Sequence, residues 1–331
     1  MKKKWLWRGF LALLLLLAAS QFNFGDLWQS MAQVKWETLA VLLALQVVSQ
    51  LLLNLQWHRL ACLADTPISF IKMLYINAQG SVIESITPGV KVGGEVTRAL
   101  QISKLGHCCG EQAAAVVALQ KLFSLSTFFL ANLLAIAYLA GRVPALHNPL
   151  IQFLLYGVLG GFLILFALLF AAPAQMAAYF SRKRGARFLW QNRLRKFMLT
   201  LLEHLISFRS NRGEWIIQFS LSFLIWVLFP VKMYILVLQF LQGAHPIYVT
   251  AVTFVSYMVA MLPLFPGGLG GFEGTMSGLL LAMGLSLGDA AAIAVVFRFI
   301  TFWFVIIASL VFTSVYKAMQ KPGLASMEGE F

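Results

Sequence analysis

The sequence is dominated by apolar segments that are each long enough to cross a lipid bilayer, which takes about 20 residues of helix. Apolar residues make up 60% of the 331-residue chain and charged residues 11%, far from the balance of a soluble domain. Because lipid offers the backbone no hydrogen-bond partners, such segments form helices. We therefore predict an all-α integral membrane protein with about six full transmembrane helices. The predicted spans are 5–22, 37–57, 112–140, 150–173, 214–241 and 287–316.

The N-terminal sequence can be interpreted in two ways, as a transmembrane helix or as a signal peptide. Lys2, Lys3 and Lys4 precede an apolar run from Phe10 to Ala19, which is also the layout of a signal peptide. We interpret the run as the first transmembrane helix because the rest of the chain is also apolar enough for a membrane. Cleavage after the run is the alternative.

The net charge of +13 is concentrated in two patches. Lys2, Lys3, Lys4 and Arg8 supply +4, and nine basic residues within 182–212, less Glu203, supply +8. Both patches flank apolar spans, so the positive-inside rule places them in the cytoplasm together with both termini. This explanation disfavours nucleic acid as a partner.

One motif occurs twice within apolar sequence, at Pro88–Glu95 and at Pro266–Glu273. The two copies share proline and glycine at the first two positions, glycine at the sixth and glutamate at the eighth. Irregular backbone and a carboxylate are tolerated at membrane depth where protein or a polar cavity surrounds them. The motifs therefore predict two re-entrant regions, at about 66–105 and 247–285.

The charge pattern predicts that these two regions enter the membrane from opposite sides. An inverted pair of broken, glycine-rich segments is typical of a transporter with its site near the midplane. The alternative is two glycine-rich loops that match by chance. The predicted domains are an N-terminal half, 1–180, a cytoplasmic basic helix, 181–213, and a C-terminal half, 214–331.

The basic segment 181–213 also has an apolar stripe at helical spacing, which predicts an amphipathic helix at the membrane surface. Its expected role is to anchor the topology and attract anionic lipid. The more specific alternative is that the segment acts as a gate or as a docking site for a partner. The stripe consists of Leu194, Phe197, Met198, Leu201, Leu202 and Leu205.

Ionisable residues inside membrane spans are functional candidates by default. The cations are Lys91, Arg98, Lys121, Lys232 and Arg298, and the acids are Glu84, Glu95 and Glu273. Five cations against three acids predict a positive cavity. Such a cavity suits an anionic substrate, and a phosphate head group is the natural one in a membrane.

The motif glycines strengthen this prediction. If each motif is a turn followed by a helix start, its free N–H groups and its positive dipole end would face the substrate. Pro88 and Pro266 would end the preceding helix. The substrate-binding glycines predicted in this way are Gly93, Gly94, Gly267, Gly268, Gly270 and Gly271.

The glutamates need partners, because a carboxylate facing an anion is unfavourable. Glu95 lies three residues before Arg98, which favours an ion pair on one helix face. Glu273 is expected to pair with Arg298 or Lys232. Two roles stay open for both glutamates: they brace the site, or they carry protons during transport. Lys121 and Lys232 could also snorkel to an interface.

Cysteine and histidine indicate no further chemistry. The three cysteines, Cys62, Cys108 and Cys109, are an odd set with two adjacent members, which does not suggest a disulfide framework. No histidine or cysteine spacing is typical of a metal site. We expect neither a metal nor another cofactor.

These segments resemble the flippase-like family related to the membrane domain of lysylphosphatidylglycerol synthase, the multiple peptide resistance factor. The matching residues are Ile86–Gly89, Gly94, Glu95 and Arg98, then Pro263, Pro266–Gly270, Glu273 and Arg298. The resemblance implies re-entrant helices and movement of lipids between leaflets, including aminoacylated phosphatidylglycerol or polyprenyl-phosphate carriers. Where relatives often carry Glu-Arg in the third span, this chain has Gln120-Lys121.

The best-known member of that family also transfers lysine from tRNA through a soluble domain. Here 15 residues follow Tyr316, so no such domain is expected. The leading hypothesis is a translocase of an anionic lipid in the bacterial cytoplasmic membrane, with any lipid-modifying enzyme encoded elsewhere. The alternatives are an enzyme that acts on a lipid-linked substrate within the membrane and a scaffold of the cell envelope.

Overall fold

A computed structural model describes residues 24–87, 92–144, 147–182, 189–262 and 268–320. These residues form helices and connecting turns, with no strand among them. The helices are α1 Phe24–Ala32, α2 Trp36–Leu63, α3 Phe70–Ile86, α4 Val92–Leu105, α5 Gly110–Ala140, α6 Pro149–Ala171, α7 Pro173–Arg182, α8 Leu189–Ser210, α9 Arg212–Val237, α10 Pro246–Ala260, α11 Gly271–Leu281, α12 Leu287–Arg298 and α13 Phe304–Met319. A π-helical turn, Phe299–Trp303, joins α12 to α13.

Five of the predicted spans are present as helices that are long and apolar enough to cross a membrane. They are Trp36–Leu63, Gly110–Ala140, Pro149–Ala171, Gly213–Val237 and Leu287–Met319. The predicted first span, 5–22, lies outside the described residues. The protein is thus an all-α integral membrane protein, as the sequence predicts.

The two motif regions each contain a pair of short helices. In the first, α3 has 17 residues and α4 has 14, and in the second α10 has 15 and α11 has 11. Each helix is shorter than the roughly 20 residues that a full span requires. Within each region the two helices pack against each other, and the break falls at the Pro-Gly motif.

One boundary in the first region differs from the prediction. Gly93 and Gly94 were expected to precede the helix, but α4 begins at Val92 and includes both. Glycine weakens a helix by about 1 kcal/mol relative to alanine, so a later start was the simpler expectation. Close packing against α3 compensates for this.

Helices from the two predicted halves interleave. The α2 helix packs against α9, α3 packs against α13, and α5 packs against α10. One buried apolar cluster forms around Phe128, Phe254 and Phe297, and a second around Trp57 and Phe123. This interleaving brings the two motif regions to the same part of the protein.

The predicted amphipathic segment 181–213 contains the end of α7 and all of α8. The C-terminal half of the apolar stripe, at Leu201, Leu202 and Leu205, is buried against the second cluster, whereas Leu194 at its start is exposed. Part of the face that was expected to lie on lipid is therefore covered by protein, chiefly α5 and α7.

Candidate functional site

A cavity of about 200 Å³ receives residues from both motif regions. Arg98 of α4 and Lys121 of α5 line it from the side of the first region. Gly268 and Arg298 line it from the side of the second region, and Trp57 of α2 completes one wall. The predicted juxtaposition of the two regions in one site is present in the structure.

Arg98 is the most enclosed cation of this cavity, with 4% of its surface exposed. Its Nη1 donates to Glu95 Oε1 at 2.8 Å and to Glu84 Oε2 at 3.2 Å. The pair with Glu95 is the one that the three-residue spacing predicts. The guanidinium also lies 5.7 Å from the centre of the Trp57 ring. Two carboxylates and an aromatic face thus hold Arg98 in place.

Lys121 is part of the same ion-pair network. Its Nζ lies 2.7 Å from Glu95 Oε1, so that oxygen bridges Lys121 and Arg98. This chain has Gln120-Lys121 where relatives often carry Glu-Arg, and Lys121 is nevertheless paired with a glutamate from another helix. Gln120 instead donates to Gln56 Oε1 at 3.1 Å.

The first-region glycines serve close packing between α3 and α4. A Cβ on Gly94 would lie 2.7 Å from the backbone oxygen of Gly80, and a Cβ on Gly80 would lie 2.6 Å from Arg98 Nε. A Cβ on Gly93 would clash with the Thr87 side chain. Glycine at these positions lets the two helices approach and lets Arg98 lie across α3.

We expect Gly94→Ala to lower the free energy of unfolding by about 1–3 kcal/mol, because the new methyl group would overpack a backbone contact. The matched control is Gly274→Ala in α11, where an added Cβ meets no atom within 4 Å. There alanine should be neutral or stabilise the helix by up to about 1 kcal/mol. Unfolding in mixed micelles, followed by circular dichroism, measures both. Equal effects of the two changes would contradict the packing argument.

In the second region, Glu273 pairs with Arg298 and not with Lys232. Arg298 Nε lies 3.3 Å from Glu273 Oε1, while Glu273 Oε2 accepts the Gly270 N–H at 2.7 Å. The Gly270 N–H was expected to be free for substrate, but the glutamate of the same motif binds it. Glu273 therefore caps α11 and neutralises Arg298 at the same time.

Two glycines at this helix start have backbone angles that favour glycine. Gly268 has φ of +70° and Gly270 has φ of +83°. A Cβ on Gly268 would also lie 2.6 Å from the Ala260 backbone oxygen. Of the described motif glycines, Gly268 lines the cavity, and Gly93, Gly94, Gly270 and Gly271 are not among its lining residues.

Arg298 occupies the boundary between α12 and the π-helical turn. It is 5% exposed, and its guanidinium lies 4.3 Å from the centre of the Phe302 ring and 4.9 Å from that of Phe272. Single π-helical turns are often found at functional sites, where they shift the side chains that follow. No sequence signal marks this turn.

Lys232 lies outside this cavity. Its Nζ donates to Gln46 Oε1 and, at 3.0 Å, to Ser49 Oγ, both on α2, and it lies 4.4 Å from the centre of the Phe229 ring. The side chain is fully buried. Among the described residues it forms no ion pair with a carboxylate. The structure therefore does not bring Lys232 to the other predicted site residues.

The expected excess of positive charge is absent from the described part of the site. Its cations are Arg98, Lys121 and Arg298, and their carboxylate partners are Glu84, Glu95 and Glu273. Lys232 lies elsewhere and Lys91 lies outside the described residues, so the predicted excess of five cations over three acids stays a prediction. The predicted residues Lys91 and Gly267 fall outside the described residues, as do Pro88 and Pro266.

Several lining residues were missed by the sequence argument. They include Ser81, Gln120, Tyr257, Thr301 and Phe302. Ser81 lies three residues before Glu84, and Thr301 lies three after Arg298, so helical spacing from known candidates could have identified both. Nothing in the sequence marks Tyr257, which comes from α10.

Comparison with known proteins agrees with this membrane architecture. Residues 5–309 match the family described as the lysylphosphatidylglycerol synthase TM region. A UPF0104 membrane protein of Methanothermobacter thermautotrophicus is 27% identical over 246 residues, covering 68% of this chain and 70% of the relative. A UPF0104 membrane protein of Pyrococcus horikoshii is 23% identical over 293 residues, covering 82% and 84%. Because the family match extends over nearly the whole chain, the protein belongs to the lysylphosphatidylglycerol synthase TM region family.

Proposed function

We propose that the protein is a translocase that moves a phosphate-bearing lipid between the leaflets of the cytoplasmic membrane. The observation that supports this most is the single cavity lined by Arg98 of the first motif region and Gly268 of the second, together with Lys121 of α5 and Arg298 of α12. A pair of broken helices that meet at a polar cavity is a common construction of transporter sites.

The ion pairs of the cavity can exchange partners when an anion enters. Arg98 contacts two carboxylates, and Glu95 also contacts Lys121. If Arg98 turned towards a phosphate, Lys121 would still neutralise Glu95. A guanidinium can bind two phosphate oxygens at once, which suits Arg98 and Arg298 as the main phosphate ligands.

The glutamates serve as counter-ions in this proposal. Between substrates, Glu95 and Glu273 keep Arg98 and Arg298 from remaining as isolated charges at membrane depth, which would be costly. A proton taken up by either glutamate would weaken its pair and free the arginine for phosphate. We assign these carboxylates no bond-breaking chemistry, because each already holds a cation.

The two parts of the lipid would lie in different surroundings. The head group would enter the cavity, while the hydrocarbon chains of the lipid stay among apolar residues. We propose that both termini and the basic segment around α8 lie in the cytoplasm, where that segment would contact anionic lipid. A separate lipid-modifying enzyme would then supply the substrate.

The direct test is lipid movement in proteoliposomes that contain the full chain and a fluorescent phosphatidylglycerol. Arg98→Ala and Arg298→Ala should each slow translocation about 10- to 100-fold, since one charged hydrogen bond contributes about 1.5–3 kcal/mol. The control is Arg142→Ala, which removes an exposed arginine that donates to the Tyr138 carbonyl and stacks on its ring.

Two results would contradict the proposal. One is a wild-type rate in both arginine variants, which would remove the assigned roles. The other is movement by the wild-type protein no faster than in protein-free vesicles, for phosphatidylglycerol and for phosphatidylethanolamine alike.

A further inference from the structure

A second cleft, of about 570 Å³, also has Arg298 in its lining. Met31, Val34 and Leu39 form one wall, and Val295, Phe299 and Trp303 form the other. The Glu273–Arg298 ion pair also contributes to the lining. Apart from this pair, the side chains that line the cleft are apolar.

The walls of this cleft are fixed by a specific contact. Ser30 Oγ of α1 donates to Asp289 Oδ1 of α12 at 2.9 Å, and α1 packs along α12. Met31 follows Ser30 directly, and Val295 lies on α12. The two walls are thus held together by the fold without a ligand.

The cleft opens towards the outside of the protein. Val295, Phe299 and Trp303 are 38%, 41% and 46% exposed, and they lie within the spanning segment Leu287–Met319. In a bilayer, the material in contact with exposed apolar side chains of a spanning helix is lipid hydrocarbon. A chain could therefore enter from the side.

Arg298 connects this cleft to the first cavity, because it lines both. We propose that the cleft binds a hydrocarbon chain of the lipid whose phosphate group occupies the first cavity. The identity of that head group rests on the proposed function. The binding of a hydrocarbon chain in the cleft does not depend on the proposed function, and it can be measured separately.

The arginine in the lining favours a lipid over the other occupants of an apolar groove. A lipid has a charged phosphate beside its chains, which matches an arginine that lines both the apolar cleft and the first cavity. The competing occupants are residues 1–23 of the same chain, which lead into α1, and a second copy of the protein. Either would cover the apolar walls but would make no use of Arg298.

The test uses the full chain in detergent with trace phosphatidylglycerol that carries a photoactivatable diazirine near the end of one acyl chain. After irradiation, adducts mapped by mass spectrometry should concentrate at residues 31–39 and 295–303. Val295→Trp fills the slot and should reduce these adducts about tenfold, which corresponds to displacing about two methylene groups.

The matched control is Val311→Trp, the same change at a 59% exposed position of α13 outside the cleft. It should leave the adducts at 295–303 unchanged. If Val295→Trp folds poorly by gel filtration, Val295→Phe repeats the test with a smaller side chain.

Three results would overturn the inference. They are equal labelling around Val311 and Val295, labelling unaffected by Val295→Trp or by Val295→Phe, and cross-links from a photoreactive residue at 295 to residues 1–23 or to a second copy. Lipid movement measured alongside separates the two proposals. Cleft labelling without translocation would reject the proposed function alone, and translocation without cleft labelling would reject the chain site alone.

Discussion

Arg98→Met should lower the free energy of unfolding by about 3–5 kcal/mol, the usual effect of removing one partner from a buried ion pair. The change leaves Glu84 and Glu95 facing each other without the guanidinium that now lies between them. Lys121 still pairs with Glu95, but both carboxylates lose the charged hydrogen bond that Arg98 donates.

Neutralising the two carboxylates as well should restore stability. In Arg98→Met combined with Glu84→Gln and Glu95→Gln, neither carboxylate that Arg98 contacts in the wild type is charged, and most of the lost stability should return. Lipid translocation should stay defective, because the phosphate ligand is still missing. Unfolding in mixed micelles and the proteoliposome assay measure the two effects separately.

Arg142→Met is the control for removing an arginine as such. Arg142 is exposed and contacts Tyr138, so this change should have little effect on either measurement. A triple variant as unstable as Arg98→Met would show that the carboxylates are not the source of the penalty. Recovery of translocation in the triple variant would show that Arg98 acts only as a structural counter-ion.

The parts of the fold that the sequence predicted depend on local properties. Five spans follow from the length of apolar runs, since a helix is what lipid allows an apolar segment to form. The Glu95–Arg98 pair follows from a three-residue spacing on one helix. Both features require no knowledge of how the helices are arranged.

The parts that could not be predicted depend on how helices pack. The contacts of Glu84 with Arg98 and of Glu95 with Lys121 join separate helices, and spacing along the chain does not fix the rotation of one helix against another. The choice of Arg298 over Lys232 as the partner of Glu273 has the same origin. Sequence identifies which charges need partners, and packing decides which partners they obtain.

The motif glycines show a second limit of prediction from sequence. Sequence reasoning assigned them to substrate because glycine exposes backbone N–H groups. In the structure Gly94 permits contact with Gly80, and the Gly270 N–H is bound by Glu273. Glycine at a helix start has several uses, and only the neighbouring backbone distinguishes them.

Lys232→Met should have the opposite effect on stability to Arg98→Met, raising the free energy of unfolding by about 1–4 kcal/mol. The ammonium group is fully buried against Gln46, Ser49 and the Phe229 ring, and among the described residues it has no carboxylate partner. Methionine has a similar length and removes the desolvated charge.

The increase in the free energy of unfolding is reduced by the loss of the hydrogen bond from Lys232 to Gln46 Oε1. This loss costs about 1–3 kcal/mol if the Gln46 oxygen stays unpaired. Ser49 keeps a partner, because its hydroxyl also donates to the Leu45 carbonyl. The desolvation of an ammonium group amounts to several kcal/mol, so the net effect should remain stabilising.

Lys121→Met makes the same chemical change where the lysine is paired and partly exposed. It should reduce stability by no more than about 1 kcal/mol, as is usual for solvated ion pairs, and should slow translocation because Lys121 lines the cavity. The Lys232→Met variant should instead translocate lipid at close to the wild-type rate.

If Lys232→Met lost both stability and translocation, the rule that a charge at membrane depth is functional would apply to Lys232 despite its position outside the cavity. The substrate pathway would then have to extend from Arg298 to the face of α2 that carries Gln46 and Ser49.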